Sequence, residues 1–331
     1  MREPAFWWRA PGWAAALLSQ AGSIYGGIAA RRMERTGREA GVPVVCIGNL
    51  TVGGAGKTPT AIAVAQILAA AGRRPFLLSR GYGGALKGPV RVDLVSHRAL
   101  DVGDEPPLLA RVAPTIVARD RVAGAAAARA EGGHAIVMDD GFQNPTLHKT
   151  LAIVVVDADR GIGNGAVCPA GPLRAPLQVQ LRHAHAVLVI GSGAQAEPVA
   201  EAARALLLPV FRGRLAPDAR ALETLRRRPV LAFAGIGHPE KFFATLSEAG
   251  VEVRDRLAFP DHHRFRRGEA LDLIARAERD GLVLVTTEKD FARLSGADDL
   301  KALAGVARVL PVKLAVIEDV AFRDFVLART R

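Results

Sequence analysis

The chain contains very little cysteine. Cys46 and Cys168 are the only two cysteines among 331 residues. Two thiols cannot build the disulfide framework of a small secreted domain, and no Cys-x-x-Cys pair or cysteine–histidine cluster indicates a metal centre. These absences favour a reduced, cytosolic setting.

Aromatic residues are also scarce, at 5% of the chain, and all three tryptophans lie near the N-terminus. A long apolar run is absent too. Residues 10–30 carry no charge, but proline, glycine and polar side chains interrupt them, which disfavours a membrane-spanning helix. Four apolar residues in this stretch nevertheless recur at helical spacing. They are Leu17, Ala21, Ile24 and Ile28.

This combination predicts an N-terminal region, residues 1–35, with a helix that lies in a membrane interface. Trp7, Trp8 and Trp13 are the expected anchors. The alternatives are a helix packed on its own domain, a spanning helix and a cleaved signal peptide. Tryptophan and arginine beside one apolar stripe favour the interfacial helix.

Acidic residues are outnumbered. Lys and Arg total 44 against 33 Asp and Glu, giving a formal net charge of +11. This balance favours anionic partners, namely nucleotide phosphates, nucleic acid or an acidic membrane surface, without choosing among them. The length suits two domains of ordinary size, and half of the residues are apolar, enough to bury a core.

From residue 42 onward, short apolar runs alternate with helical patterns, which predicts an α/β fold with a mostly parallel sheet covered on both faces. Predicted strands are 42–47, 75–79, 115–118, 135–138, 151–156, 186–190, 230–234 and 282–286. Predicted helices are 57–71, 106–112, 121–131, 239–249, 268–280 and 320–328. A polar stretch near 213–229 divides a core at 36–218 from a smaller α/β domain at 219–331.

A glycine-rich loop, GNLTVGGAGKT at residues 48–58, follows a predicted strand and opens a helix, as a P-loop requires. Its glycines allow backbone N–H groups to turn onto phosphate oxygens, Lys57 is expected to reach the β- and γ-phosphates, and the Thr58 hydroxyl to hold Mg²⁺. The strict pattern has glycine where this chain has Thr51. The predicted nucleotide-binding residues are Thr51, Val52, Gly53, Gly54, Ala55, Gly56, Lys57 and Thr58.

Two adjacent carboxylates, Asp139 and Asp140, end the predicted strand at 135–138. A carboxylate in this position can approach Mg²⁺ beside the P-loop. Neighbouring residues of an extended strand point to opposite faces, so one carboxylate can address the metal while the other meets substrate or water. The alternative is that these residues only cap the strand end.

Two classes of P-loop protein are disfavoured by the sequence. The TEKD segment at 287–290 lacks the spacer of a guanine-reading Asn/Thr-Lys-x-Asp motif, and Val52 stands where partitioning ATPases have lysine. What remains is a kinase or, as a second hypothesis, an ATPase that switches conformation on an RNA or protein partner. Dependence on a lipid acceptor distinguishes these two.

Eight motifs, in order, resemble those of the tetraacyldisaccharide 4′-kinases, the lipid A 4′-kinases, over roughly residues 40–290. They are GNLTVGGAGKTP at 48–59, SRGYGG at 79–84, GDEP at 103–106, DDGFQ at 139–143, PAGPLR at 169–174, FAGIG at 233–237, FPDHH at 259–263 and TTEKD at 286–290. The chain departs from the family pattern at Asn144, where histidine is frequent, and at 166–168.

The resemblance implies transfer of the γ-phosphate of ATP to the 4′-hydroxyl of a lipid A disaccharide precursor, peripherally at the cytoplasmic face of the inner membrane. Neither nucleic acid nor a protein partner is expected. The resemblance also supports Asp104 as the base that accepts the proton of the acceptor hydroxyl, with His262 orienting Asp104. Taken alone, Asp104 would be a helix cap and His262 a surface residue.

The remaining site roles depend on the same resemblance. Glu105 and Asp139 are expected to join Thr58 around Mg²⁺, and Asp140 to assist either the metal or the acceptor. Arg80, Tyr82 and Arg174 are expected to contact the sugar or its 1-phosphate. Asp104 and His262 come from different predicted domains, so the active site is expected in the cleft between them.

Overall fold

The computed structural model describes residues 3–331 and contains two mostly parallel sheets, as the alternating pattern predicts. The strands of the larger sheet are β1 (Val44–Asn49), β2 (Pro75–Ser79), β3 (Val90–Arg91), β4 (Thr115–Val117), β5 (Ala135–Asp139), β6 (Leu151–Asp157), β7 (Ala186–Ile190), β8 (Val210–Pro217) and β13 (Val312–Val316). Those of the smaller sheet are β9 (Val230–Ala234), β10 (Val253–Ala258), β11 (Val283–Thr287) and β12 (Arg308–Leu310).

Helices alternate with the strands. A short 3₁₀ turn at Ala5–Trp8 precedes the first of them. The helices are α1 (Trp13–Met33), α2 (Lys57–Ala70), α3 (Ala99–Val102), α4 (Pro106–Ala110), α5 (Arg121–Ala130), α6 (Leu177–Arg182), α7 (Glu197–Ala205), α8 (Ala219–Leu225), α9 (Pro239–Glu248), α10 (Arg267–Arg279), α11 (Glu288–Ser295), α12 (Lys301–Val306) and α13 (Asp319–Arg329).

The nine-stranded sheet has the order β13-β8-β7-β6-β1-β5-β2-β4-β3 and is parallel except at its two edges. Its central strands are apolar on both faces because helices cover both sides. Along β1, Val44 and Cys46 pack with α5, α6 and α7, whereas Val45 and Ile47 pack with α2 and α13. The α/β prediction, with a second, smaller α/β unit, is confirmed.

The sheet order places the predicted site residues together. β1 pairs in parallel with β5 and with β6, and Ile47 is in register with Asp139. The carboxyl ends of parallel strands lie at one edge of the sheet. The loop after β1 and the acidic end of β5 therefore meet at that edge.

The C-terminus returns to the larger sheet. β13 runs antiparallel to β8, and Phe322 and Val326 of α13 are buried in the core shared with α2. The smaller domain was predicted to extend over residues 219–331. In the structure, its last part, residues 312–329, packs on the larger unit instead. The sequence reasoning missed β13 because a half-buried edge strand leaves no strong apolar run.

Helix α1 presents two unlike faces. Its small residues face the protein, and a Cβ at Gly22 would lie only 2.8 Å from the backbone oxygen of Val167. On the opposite side Trp13, Leu17, Ile24 and Ile28 are 82%, 75%, 68% and 63% exposed. In the described part of the chain, residues 3–331, no helix has the length and apolar character required to cross a membrane.

Two of the three predicted anchors do not lie free on the surface. Trp7 is buried, and its indole N–H donates to the Pro169 carbonyl at 3.0 Å. Trp8 is half-buried, with the Arg160 guanidinium 4.5 Å from its ring. Trp13 is fully exposed. Residues 1 and 2 of the predicted 1–35 region lie outside the described residues.

Candidate active site

The loop after β1 has the geometry of an anion cradle. Gly53 and Gly56 adopt φ values of +100° and +90°, which residues with a side chain rarely adopt. Thr51, where the strict pattern has glycine, instead pairs as an isolated bridge with Leu173. Its backbone is extended there, so glycine is not needed at this position.

Lys57 begins α2 and is buried beside the loop. Its ammonium donates to the Gly53 carbonyl at 3.2 Å and lies 3.8 Å from Asp140 Oδ2. Burial lowers the pKa of Lys57, against the opposing charge of Asp140. A buried cation whose nearest partners are a carbonyl and one carboxylate is well placed to bind phosphate.

Asp139 is buried at the end of β5. Its Oδ2 accepts a hydrogen bond from the Thr58 hydroxyl at 3.0 Å, while Oδ1 is buried without a partner among residues 3–331. Burial, followed by the charge of Glu105, raises the pKa of Asp139 to about 7. These contacts differ from those of a strand-end cap, because the carboxylate addresses the P-loop helix.

The donors around Asp139 fit a magnesium ion. A carboxylate with one unpartnered oxygen and a hydroxyl are hard oxygen ligands of the kind Mg²⁺ takes, usually with phosphate oxygens and water completing the shell. Within the described range, 3–331, no three His, Cys, Asp or Glu side chains cluster as a metal cage.

Asp140 lies on the other side of the same backbone turn, with φ of +56°. Arg174 Nη1 and Nη2 donate to Asp140 Oδ1 and Oδ2 at 2.8 and 3.3 Å, and Arg174 Nε donates to the Thr51 carbonyl at 2.9 Å. Burial alone would raise the pKa of Asp140, but Lys57 and Arg174 hold it well below its usual range. Arg174 thus braces the P-loop rather than projecting freely.

Asp104 and His262 meet across the two units. His262 Nδ1 lies 3.1 Å from Asp104 Oδ2, although 158 residues separate them. His262 stands at φ of +55°, and the Tyr82 ring packs on it with centroids 5.1 Å apart. The expected pairing in the cleft is therefore present in the geometry. Glu105, not Asp104, is the N-cap residue of α4, and it makes no side-chain cap hydrogen bond.

The charges of this pair are linked. Burial alone would raise the pKa of Asp104, but the His262 hydrogen bond and the Arg293 charge hold it well below its usual range. The hydrogen bond to Asp104 raises the pKa of His262. The adjacent His263 instead binds Glu269 at 2.9 Å and stacks on Phe259, so it is held within its own unit.

Sequence reasoning missed two cations at this site, Lys289 and Arg293 of α11. Lys289 Nζ donates to Glu105 Oε1 at 2.5 Å, and Arg293 donates to Asp104 Oδ2. Glu105 thus has one oxygen engaged before any metal is considered. The TEKD motif contains Lys289 and could have indicated its role. The residues around Arg293 contain no pattern that indicates its partner.

Arg80 is the predicted site residue with the least contact to the others. It is exposed just beyond β2. Burial lowers the pKa of the nearby Arg121, and the like charge of Arg80 lowers it further. Tyr82, also exposed, lies over His262 at the mouth of the cleft. Both remain reachable by a large acceptor.

Comparison with known proteins gives a consistent result. The family model described as tetraacyldisaccharide-1-P 4′-kinase matches residues 14–331. Proteins named tetraacyldisaccharide 4′-kinase are similar over nearly their full length: one from Methylobacterium sp. (strain 4-46) is 58% identical, covering 100% of this chain and 97% of its own, and one from Rhodopseudomonas palustris (strain BisB5) is 52% identical, covering 99% and 97%.

A solved structure shares the fold. LpxK from Aquifex aeolicus, crystallised in complex with ATP, superposes with a TM-score of 0.71 at 24% identity, covering 96% of this chain and 99% of that one. At this identity the likeness concerns the fold.

Proposed function

This chain belongs to the tetraacyldisaccharide-1-phosphate 4′-kinase family, and on that premise we propose how its residues carry out the reaction. The protein is an ATP-dependent kinase that transfers the γ-phosphate to the 4′-hydroxyl of a tetraacyldisaccharide 1-phosphate in lipid A biosynthesis, with ATP and Mg²⁺ as cofactors. The acceptor oxygen forms a bond to the γ-phosphorus, ADP leaves with the electrons of the broken P–O bond, and the hydroxyl proton is released.

Nucleotide binding is assigned to the loop at 51–58. Its backbone N–H groups and the N-terminus of α2 attract the phosphates. Lys57 neutralises the charge that spreads over the transferred group in the transition state. Arg174 and Asp140 keep the loop and Lys57 in place. For Arg174 to contact the anionic substrate as well, it must give up one of its two hydrogen bonds to Asp140.

The magnesium ligands are proposed to be Thr58 and Asp139, with Glu105 close enough to act through its charge or its second oxygen. The unpartnered Asp139 Oδ1 supports this assignment. When bound, the ion would neutralise charge on the β- and γ-phosphates.

Asp104 is proposed as the base that accepts the proton of the acceptor hydroxyl, oriented by His262. This juxtaposition of two residues from separate units is the observation that carries the mechanism. Tyr82 and Arg80, at the mouth of the same cleft, are proposed to contact the sugar or its 1-phosphate.

The deciding experiment is transfer of radiolabelled γ-phosphate to the lipid disaccharide acceptor. The kinase should form labelled product only when that acceptor is present. A switch ATPase would instead hydrolyse ATP without labelling it and would respond to RNA or protein. That outcome would reject the kinase mechanism while leaving the P-loop assignment intact.

We further propose that α1 holds the enzyme peripherally at the cytoplasmic face of the inner membrane. Its exposed stripe of Trp13, Leu17, Ile24 and Ile28 supplies apolar area, and Arg31 and Arg32 end the helix on the exposed surface. Each arginine near an anionic surface adds about 1 kcal/mol of attraction. The small-residue face stays on the protein, so anchoring requires no detachment of the helix.

Replacing Leu17, Ile24 and Ile28 together by serine should weaken binding to anionic vesicles about tenfold or more, because apolar area that enters the interface is lost. Vesicle sedimentation measures this, and ATP binding should not change. Deleting residues 1–30 is less selective, since it also uncovers Val167.

The matched control is the triple serine variant of Val95, Ile317 and Val320, which are equally exposed apolar residues away from α1. If that control sediments as poorly as the α1 variant, or if the α1 variant sediments like wild type, another surface anchors the protein.

Asp139→Asn should lower Mg²⁺-dependent transfer about 10²-fold while leaving the fold stable. The pKa of Asp139 is raised from 3.8 to about 7 in the folded protein, so the fold favours the protonated carboxyl. The free energy of unfolding of the wild type should therefore fall as the pH rises from about 4 to 7, where Asp139 loses its proton. The ligand-free variant should therefore melt at or above the wild-type temperature at pH 8.

Thermal melts at pH 4 and pH 8 and a Mg²⁺ titration of the rate test this. Asp159→Asn serves as control, since Asp159 pairs with Lys241 at 3.3 Å and not with Thr58. Full activity with an unchanged Mg²⁺ dependence in Asp139→Asn would make this carboxylate a purely structural group.

A further inference from the structure

We propose that Arg293 of α11 is a positioning residue for Asp104: it occupies one oxygen of the carboxylate and leaves the other to receive the acceptor proton. The proposal deepens the kinase mechanism above and rests on it. It also gives the smaller unit a defined task, which is to complete the base supplied by the larger one.

The contacts of Arg293 join the two units. Its side chain is only 9% exposed. Nε donates to Asp104 Oδ2 at 2.8 Å, and Nη2 contacts the same oxygen. Nη1 donates to the Gly235 carbonyl at 2.8 Å and to Asp290 Oδ1 at 2.7 Å. A guanidinium is rigid and planar, so these contacts fix where its fork points.

The support beneath Arg293 is itself anchored. Asp290 is fully buried and accepts from the Gly235 N–H at 3.1 and 3.0 Å, and its Oδ2 accepts from the Thr287 hydroxyl at 2.7 Å. Thr287 caps α11. The guanidinium is therefore tied to the ends of β9 and β11, a rigid platform facing the larger unit.

The distribution of bonds on Asp104 gives the functional consequence. Within residues 3–331, His262 and Arg293 both address Oδ2. Oδ1 is thus the oxygen left to accept from the acceptor hydroxyl. Two donors on one oxygen also prevent rotation of the carboxylate, and a correctly oriented base is worth far more than a mobile one.

The neighbouring carboxylate is held by the same helix. Lys289 and Arg293 are four residues apart, on one face of α11. They address Glu105 and Asp104, which are adjacent in the chain. One helix therefore holds both carboxylates, so the two sit correctly only when the units are together.

Three side chains of the smaller unit surround Asp104: His262, Arg293 and Lys289. Removing Arg293 leaves His262 as the remaining hydrogen-bond partner of Oδ2. A carboxylate held by one partner in place of two is free to turn, so the loss of Arg293 should appear in kcat.

Arg293→Met tests the inference. We expect kcat to fall about 10²-fold with little change in the KM for ATP, since general-base catalysis contributes about 10²–10⁴-fold. Arg293→Lys should recover part of kcat, because it restores a donor and a charge without the planar fork.

Two comparisons separate positioning from simple support of the fold. Arg98→Met removes another Arg–Asp pair between the same units, the exposed Arg98–Asp298 bridge of 3.1 Å, and should leave kcat unchanged. In an Asp104→Asn background, Arg293→Met should cost little more, because residues acting through one group are non-additive.

The outcomes are distinguishable. If wild type transfers phosphate but Arg293→Met behaves like Arg98→Met, or if its loss multiplies with that of Asp104→Asn, Arg293 does not act through Asp104 and the inference is overturned. If Arg293→Met does not fold, Arg293→Lys decides: an unchanged kcat, or a loss that multiplies with that of Asp104→Asn, argues against positioning. If wild type itself labels no acceptor, the proposed function fails instead.

Discussion

Lys57→Ala should reduce phosphate transfer by about 10³-fold or more while the protein remains folded. Loss of a cation that stabilises a transferring phosphoryl group costs rate on this scale, equivalent to about 4 kcal/mol of activation free energy. Lys57 lies beside the P-loop carbonyl of Gly53 and near Asp140, next to the loop proposed to hold the phosphates.

Folding should survive this change. Burial lowers the pKa of Lys57, which means that its charge is not favoured by the ligand-free protein. Asp140 also keeps its two bonds from Arg174. Lys149→Ala is the control, because Lys149 is another partly buried lysine whose ammonium donates at 2.6 Å to the Asn144 carbonyl rather than to the loop.

The assay is single-turnover transfer at saturating ATP, alongside a thermal melt. Wild-type turnover by a folded Lys57→Ala protein would remove the basis for the P-loop assignment. An equal loss in Lys149→Ala would show that the assay responds to any buried lysine and not to this position.

Asp104→Ala and His262→Ala should each lower kcat by about 10²–10⁴-fold, and the double variant should be little worse than the poorer single variant. The reason is that the two residues act together, since His262 Nδ1 lies 3.1 Å from Asp104 Oδ2. Removing either one should therefore remove most of the rate enhancement that the pair provides. ATP affinity should change little, because the P-loop supplies it.

Kinetics of both singles and the double, with nucleotide binding measured separately, decide this. His263→Ala is a useful comparison, since its imidazole binds Glu269 within the smaller unit. Losses that multiply would mean that Asp104 and His262 work independently. Unchanged kcat in both singles would move the search for the base to Asp140.

Elements whose signal is local were predictable. Strands β2, β7 and β9 were predicted at the residues where they occur, because a buried parallel strand is a short, uninterrupted apolar run. The P-loop was equally readable, since its strand, glycines, Lys57 and Thr58 are contiguous. Its partner Asp139 was recognised for a related reason: it ends an apolar strand that must lie in the same sheet.

Edge strands and contacts between distant parts of the chain were not predictable in this way. β13 is half-buried, and its pairing with β8 bridges a long stretch of chain. The burial of Trp7 depends on the Pro169 carbonyl, which no N-terminal pattern indicates. The exposed stripe of α1, by contrast, follows directly from helical spacing.

The sequence by itself determined the α/β class, the glycine-rich loop between β1 and α2 and, through eight ordered motifs, the family. Only the tertiary structure decided which oxygen of Asp104 is engaged, that Arg293 and Lys289 contact Asp104 and Glu105, and that Arg174 pairs with Asp140. The physical reason is range: backbone propensity and periodicity act between near neighbours, whereas Asp104 meets Arg293 across 189 residues and only because two separate cores dock at that cleft.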